Sequence, residues 1–194
     1  MRFLFFAVTL ATVVSGCAEL VVTREDVLAE ARNDPASRGV TTPDRAMLRS
    51  LEGSWTGYLE YRDFNTDQIV RLPAKARMDA ADNELVLSRS LVFTDPTYDV
   101  ETSDVVMIEG DGLTEVSVEA DGPVTTSYRI VERTYRTTRD WELVLEREGT
   151  DNGQPADIRL TQVMLGRTFT STRDVLTEGA TEYLFRNRIR VERD

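Results

Sequence analysis

The sequence predicts an all-β domain: an antiparallel up-and-down β-barrel of about 8–10 strands, preceded by a short helix and a tether. Three observations predict it. From Ser54 onward, apolar residues recur with a period of two. Turn-forming groups punctuate that pattern at hairpin spacing, among them Asp95-Pro96, Gly110-Asp111-Gly112, Asp121-Gly122-Pro123, Asp151-Asn152-Gly153 and Glu178-Gly179. No helix-length periodic segment interrupts the strands. One face of each strand is apolar and the other charged, as in an antiparallel sheet wetted on one side. Tight up-and-down order favours closure into a barrel, which also removes exposed edges. A β-sandwich is the alternative architecture.

In chain order, the first element has the three parts of an export signal: a charged start (Met1-Arg2), an apolar stretch from Phe3 to Val14, and small residues before a cleavage point. The stretch is shorter than the roughly 20 apolar residues of a spanning helix. Its end, Val14-Ser15-Gly16-Cys17, holds the sole cysteine and resembles the lipobox of bacterial lipoproteins. The resemblance implies cleavage before Cys17, acylation of its thiol and new N-terminus, and a chain held to a membrane by lipid. Residues 1–16 are then the signal peptide and 17–43 the lipidated N-terminus and tether, within which Glu25–Arg32 has the pattern of two helical turns. Residues 44–194 form the barrel domain. A short helix is expected over Pro43–Leu51, with Pro in its first turn, apolar residues at 47, 48 and 51, and Gly53 to end it. The strands follow: Trp55 to Tyr61, Val70 to Met78, Leu85 to Phe93, Val100 to Ile108, and Val116 with Val118. Then come Tyr128 with Ile130, Trp141 to Leu145, Ile158 to Met164, Phe169 to Val175, and Tyr183 to Val191.

Removing 16 residues from 194 leaves 178, enough to bury a core without a disulfide, since no second cysteine exists. Loss of Arg2 leaves 22 basic residues against 34 acidic ones, a formal charge of −12. That balance excludes nucleic acid as a partner and repels anionic lipid head groups, so acyl chains must supply the membrane attachment. There is no histidine, which removes the commonest general base and metal ligand. No cofactor is expected. Ser88, Ser90, Ser117, Ser127 and Ser171 lie inside strands, not on nucleophile-elbow turns, and the acidic turns lack the spacing of a calcium loop. A non-catalytic protein without a metal site is expected.

Leu48-Arg49-Ser50-Leu51-Glu52-Gly53-Ser54-Trp55-Thr56-Gly57 places a helical turn before Gly-x-Trp at the head of the first strand. This resembles the opening of lipocalins and other calycin barrels. The resemblance gives Gly53 and Trp55 structural roles: the Trp packs over the closed end and an Arg from a late strand covers it, here Arg186, Arg188 or Arg190. The chain departs from lipocalins in ending on a strand and in lacking a Thr-Asp-Tyr motif. Ten strands are nearer the fatty-acid-binding and nitrobindin-like branches, but haem binding of the latter kind needs an axial histidine that is absent here.

Charge on apolar faces marks the candidate site. Arg89 interrupts Leu85, Leu87, Leu91 and Phe93; Arg173 shares a face with Phe169 and Val175; Arg147 follows Trp141, Leu143 and Leu145; Asp104 lies between Val100 and Ile108. If these faces line a barrel, three arginines and one aspartate point inward with Tyr61, Tyr128 and Gln162. Buried charge is costly unless paired, and one Asp cannot neutralise three Arg. The surplus suits the carboxylate or phosphate of a small amphipathic ligand, bound in bidentate fashion. The alternative is a structural Arg89–Asp104 pair, a solvated Arg147 and a filled barrel serving as an envelope interaction module with an unnamed protein partner. Ala18, where a retention signal would carry Asp, suggests by family analogy the outer membrane, facing the periplasm.

Overall fold

The computed structural model describes residues 42–64, 66–81, 85–95, 98–119 and 122–194. Cys17, the signal and the tether helix lie outside the described residues. One helix, α1 (Thr42–Ser50), precedes ten strands: β1 (Gly53–Arg62), β2 (Ile69–Ala80), β3 (Val86–Thr94), β4 (Asp99–Glu109), β5 (Gly112–Glu119), β6 (Gly122–Thr137), β7 (Asp140–Asp151), β8 (Gln154–Leu165), β9 (Thr168–Thr177) and β10 (Leu184–Arg193). Every strand pairs antiparallel with its sequence neighbour, and β1 pairs with β10 to close the barrel. Closure overturns the sandwich alternative. It leaves no unpaired edge among the ten strands.

Two strands depart from the sequence expectation. β6 runs for 16 residues, although only Tyr128 and Ile130 mark it in sequence. Its register shifts between Ile130 and Glu132 and between Tyr135 and Thr137, and each bulge resets the alternation that signals a strand. β5 has the opposite phase to the one its valines suggest. Leu113 is buried in the core, Glu115 shares its face, and Val118 lies outward at 65% exposure. The interior therefore holds a second carboxylate.

α1 plugs one end. Met47 and Leu48, with Leu51 just beyond the helix, are buried against Trp55, Trp141 and Phe169. The Phe169 ring lies 6.5 Å from Trp55 and 6.1 Å from Trp141, in edge-on and tilted geometries that favour aromatic contact. Each indole finds an acceptor: Trp55 Nε1 donates to the Leu51 carbonyl at 2.8 Å, and Trp141 Nε1 to Ser50 Oγ at 2.9 Å. Gly53, at φ +126°, turns the chain from helix to strand in a conformation that side chains disfavour. Arg133 ties Asp44 at 3.3 Å and donates to the Gly110 carbonyl at 2.9 Å.

The arginine over Trp55 is Arg193, its guanidinium carbon 4.6 Å from the ring centroid. None of Arg186, Arg188 and Arg190 fills that place. Arg193 stands directly opposite Trp55 in the β1–β10 register, whereas Arg188 and Arg190 pair with Glu60 and Tyr58 on the outer phase. Along the same seam, a Cβ at Gly57 would collide with the Arg190 carbonyl, so glycine permits the close approach of β1 and β10. Glu60 lies on the outer face between Arg71 and Arg188 and is ion-paired to both. Hydrogen bonds from Arg71 and then Arg188 hold its carboxyl below the usual carboxylate range.

Candidate functional site

The opposite end of the barrel is open, ringed by the β1–β2, β3–β4, β5–β6, β7–β8 and β9–β10 connections. Leu59, Leu72, Leu160 and Ile189 face inward and pack on the core, yet each is only partly buried. In a closed barrel, solvent reaches an inward side chain only through the interior. These residues thus border the part of the interior above the aromatic floor that solvent reaches.

Strand register assembles its polar wall. Arg173 on β9 stands opposite Leu160 on β8 and Asn187 on β10; Asn187 stands opposite Tyr61 on β1, and Tyr61 opposite Val70 on β2. One level nearer the floor, Ser171 stands between Gln162 and Ile189. Arg173 is partly buried, its Nε is fully enclosed without a hydrogen-bond partner, and no ion pair reaches it among the described residues. Four residues at about 3.3 Å each place it roughly 13 Å above Phe169.

Arg147 also points inward, opposite Ile158, with its guanidinium 5.4 Å from the Tyr128 ring centroid. Its Nη1 donates to the Glu148 carbonyl at 3.2 Å, and its enclosed Nε has no partner. Gly149 leaves the space that Arg147 occupies, because a Cβ there would lie 2.9 Å from Ile158 Cδ1 and 3.2 Å from the Arg147 guanidinium carbon. Tyr128, 8% exposed, is a wall of the core.

Arg89 differs. It is inward-facing but bound to Asp104, with Nε 2.6 Å from Oδ1, and to Glu115. Burial opposes its charge, but the Asp104 and Glu115 carboxylates outweigh that cost and raise its proton affinity. This triad corrects the expectation that one interior aspartate faces three arginines. Arg89 is thus neutralised by two carboxylates, whereas neither Arg173 nor Arg147 forms an ion pair with a carboxylate among the described residues. Sequence reasoning missed Glu115 because Val116 and Val118 set the wrong phase. It also missed an ion pair at the mouth, Arg186 Nε to Asp151 Oδ2 at 2.6 Å, because the Phe185/Asn187 bulge turns Arg186 away from the outer phase.

The mouth is lined and ringed by apolar side chains. Phe64, Ile69, Tyr98 and Val118 stand exposed on the lip; Val100, Val124 and Leu184 are exposed in the throat. The plugged end carries Leu165 alone among the large exposed hydrophobics of its strand ends and turns. A hollow of about 660 Å³ is lined by Arg129, Glu146, Glu148, Asp157 and Tyr183, and by Tyr128 and Arg147 as well. Its mixed charges concentrate no single chemistry. Among the described residues no cluster of acids or cysteine is arranged to hold a metal, and no helix is long and apolar enough to cross a membrane.

No family model matches this sequence, and no curated protein is significantly similar to it. The crystal structure of Rv2717c from M. tuberculosis is similar in fold, with a TM-score of 0.54 at 12% identity, covering 83% of this chain and 98% of that one.

Proposed function

We propose that this chain is an exported bacterial lipoprotein, anchored through acylated Cys17, whose barrel binds a small anionic amphiphile without transforming it. The observation that carries the ligand reading is Arg173: an inward guanidinium in the solvent-reached part of the interior, with an enclosed Nε and no carboxylate partner among the described residues. A charge left so is costly unless an anion completes it. Tyr61, Asn187 and Ser171 add hydrogen-bonding groups at the same depth, and Leu59, Leu72, Leu160 and Ile189 suit an acyl chain. Arg147 stands two strands away and one level nearer the mouth, a Cα separation of about 12 Å, where it would steer an anion inward. The anchor reading rests on the Val14–Cys17 run and places the protein at the envelope, at the outer membrane facing the periplasm.

Native mass spectrometry of the mature chain carrying Cys17→Ser, purified from a periplasm, tests the ligand reading. A stoichiometric adduct that extracts into organic solvent and is absent from Arg173→Met is the expected result. A clean apo mass after incubation with fatty acids and phospholipids would overturn it and favour a protein-interaction module. Loss of a lipid mass increment on Cys17→Ala in the native host tests the anchor.

A further inference from the structure

The plugged end carries a second, unassigned feature. Arg45 and Arg49 of α1, Arg139 of the β6–β7 turn and Arg193 at the end of β10 line one hollow of about 480 Å³, with Thr138 and Ser50 beside them. Among the described residues no carboxylate lines it, on a chain whose acids outnumber its bases by 34 to 23. Arg193 is fixed in place. It stacks on Trp55, and its guanidinium donates to the Glu52 carbonyl at 2.6 Å and to the Ser50 carbonyl. Arg45 has an enclosed Nε without a partner, and neither Arg45 nor Arg139 forms an ion pair among the described residues. Burial, and then the neighbouring charge of Arg139, push the proton affinity of Arg193 down; Glu52 opposes and Arg167 adds to this. The guanidiniums of Arg45, Arg139 and Arg193 are thus held around one hollow, with no carboxylate among its described lining residues. Ser50 Oγ is already engaged, accepting from Trp141 and donating to Met47, so the donors available to a ligand are N–H groups of Arg45 and Arg139 and the Thr138 hydroxyl. Several planar arginine donors around one hollow match the multiple oxygens and high charge of phosphate better than a single carboxylate.

We infer that this hollow is an anion site for a phosphate group, carried either by free phosphate or by a phospholipid headgroup. It is independent of the ligand site at the other end. The headgroup source is within reach: α1 begins 25 residues after Cys17 at this same end, and an extended segment of that length spans up to about 85 Å. The overall negative charge hides the site from any reading of net charge.

The mature chain with Cys17→Ser, so that acyl chains play no part, is compared with the same chain carrying Arg45→Gln and Arg139→Gln; Arg193 is left intact because it supports Trp55. Inorganic phosphate is titrated by calorimetry in a phosphate-free buffer. Co-sedimentation is measured with phosphatidylcholine vesicles with and without phosphatidylglycerol. Saturable phosphate binding weakened by about tenfold or more in the double variant supports the site. Sedimentation only with phosphatidylglycerol, lost in the double variant, supports it and names the headgroup as the source; phosphate binding without sedimentation names the free ion. Absence of both, or equal binding by a folded double variant, overturns it.

Discussion

The two ends of this barrel are built on opposite terms. At the plugged end, aromatic rings, a helix and an arginine are packed until both indole N–H groups and the Arg193 guanidinium have acceptors. At the open end, inward leucines remain partly exposed and the Arg173 Nε is left without a partner among the described residues. A fold whose stability is concentrated at one end can leave the other under-satisfied, because local stability need not be uniform. The contrast teaches that residue type alone does not decide between structure and binding: Arg89 and Arg173 are the same residue type on the same inner wall, yet one closes a network and the other leaves one open.

Substitutions at the two ends should therefore fail differently. Trp55→Ala removes the ring at the centre of the floor and should cost about 3–5 kcal/mol, read as a lower denaturation midpoint; a loss under about 1 kcal/mol would break the contrast. Arg89→Met strands the Asp104 and Glu115 carboxylates and should cost about 3–5 kcal/mol in the same assay. Adding Asp104→Asn and Glu115→Gln to it should restore much of that loss. Arg173→Met should leave the midpoint within about 0.5 kcal/mol, or raise it, while abolishing ligand uptake. Equal destabilisation by Arg89→Met and Arg173→Met would mean that the open end is structural too.

The smallest effect belongs to the seam that joins the ends. The Glu60 carboxyl is held below its ordinary value of 4.5, so its contribution to stability is present above that value and is lost as pH falls through the lower folded one. Unfolding midpoints measured on the acid side should fall less steeply in Glu60→Gln than in the wild type. Parallel curves would show that Arg71 and Arg188 merely screen it.

Much of the fold was legible because its signals are local. Alternation and turn residues need only a few neighbours, and they sufficed for α1, the hairpin succession and the barrel. The same local logic erred at β5, where two outward valines outvoted Leu113, and at β6, where two bulges erased the period. For the site, Arg89, Arg147, Arg173, Tyr61 and Tyr128 all fall on the inward phase of their strands. Their roles were not legible, since a partner such as Glu115 is contributed by another strand.

The sequence by itself determined that this chain is a meander of hairpins with Trp55 at its head, because short-range periodicity and turn chemistry dictate both. Only the tertiary structure decided which arginine covers that tryptophan, which guanidinium stays unpaired inside, and that Arg45, Arg139 and Arg193 meet in one hollow. Those outcomes depend on cross-strand register and on closure of β1 against β10, and a register is a property of two distant segments at once.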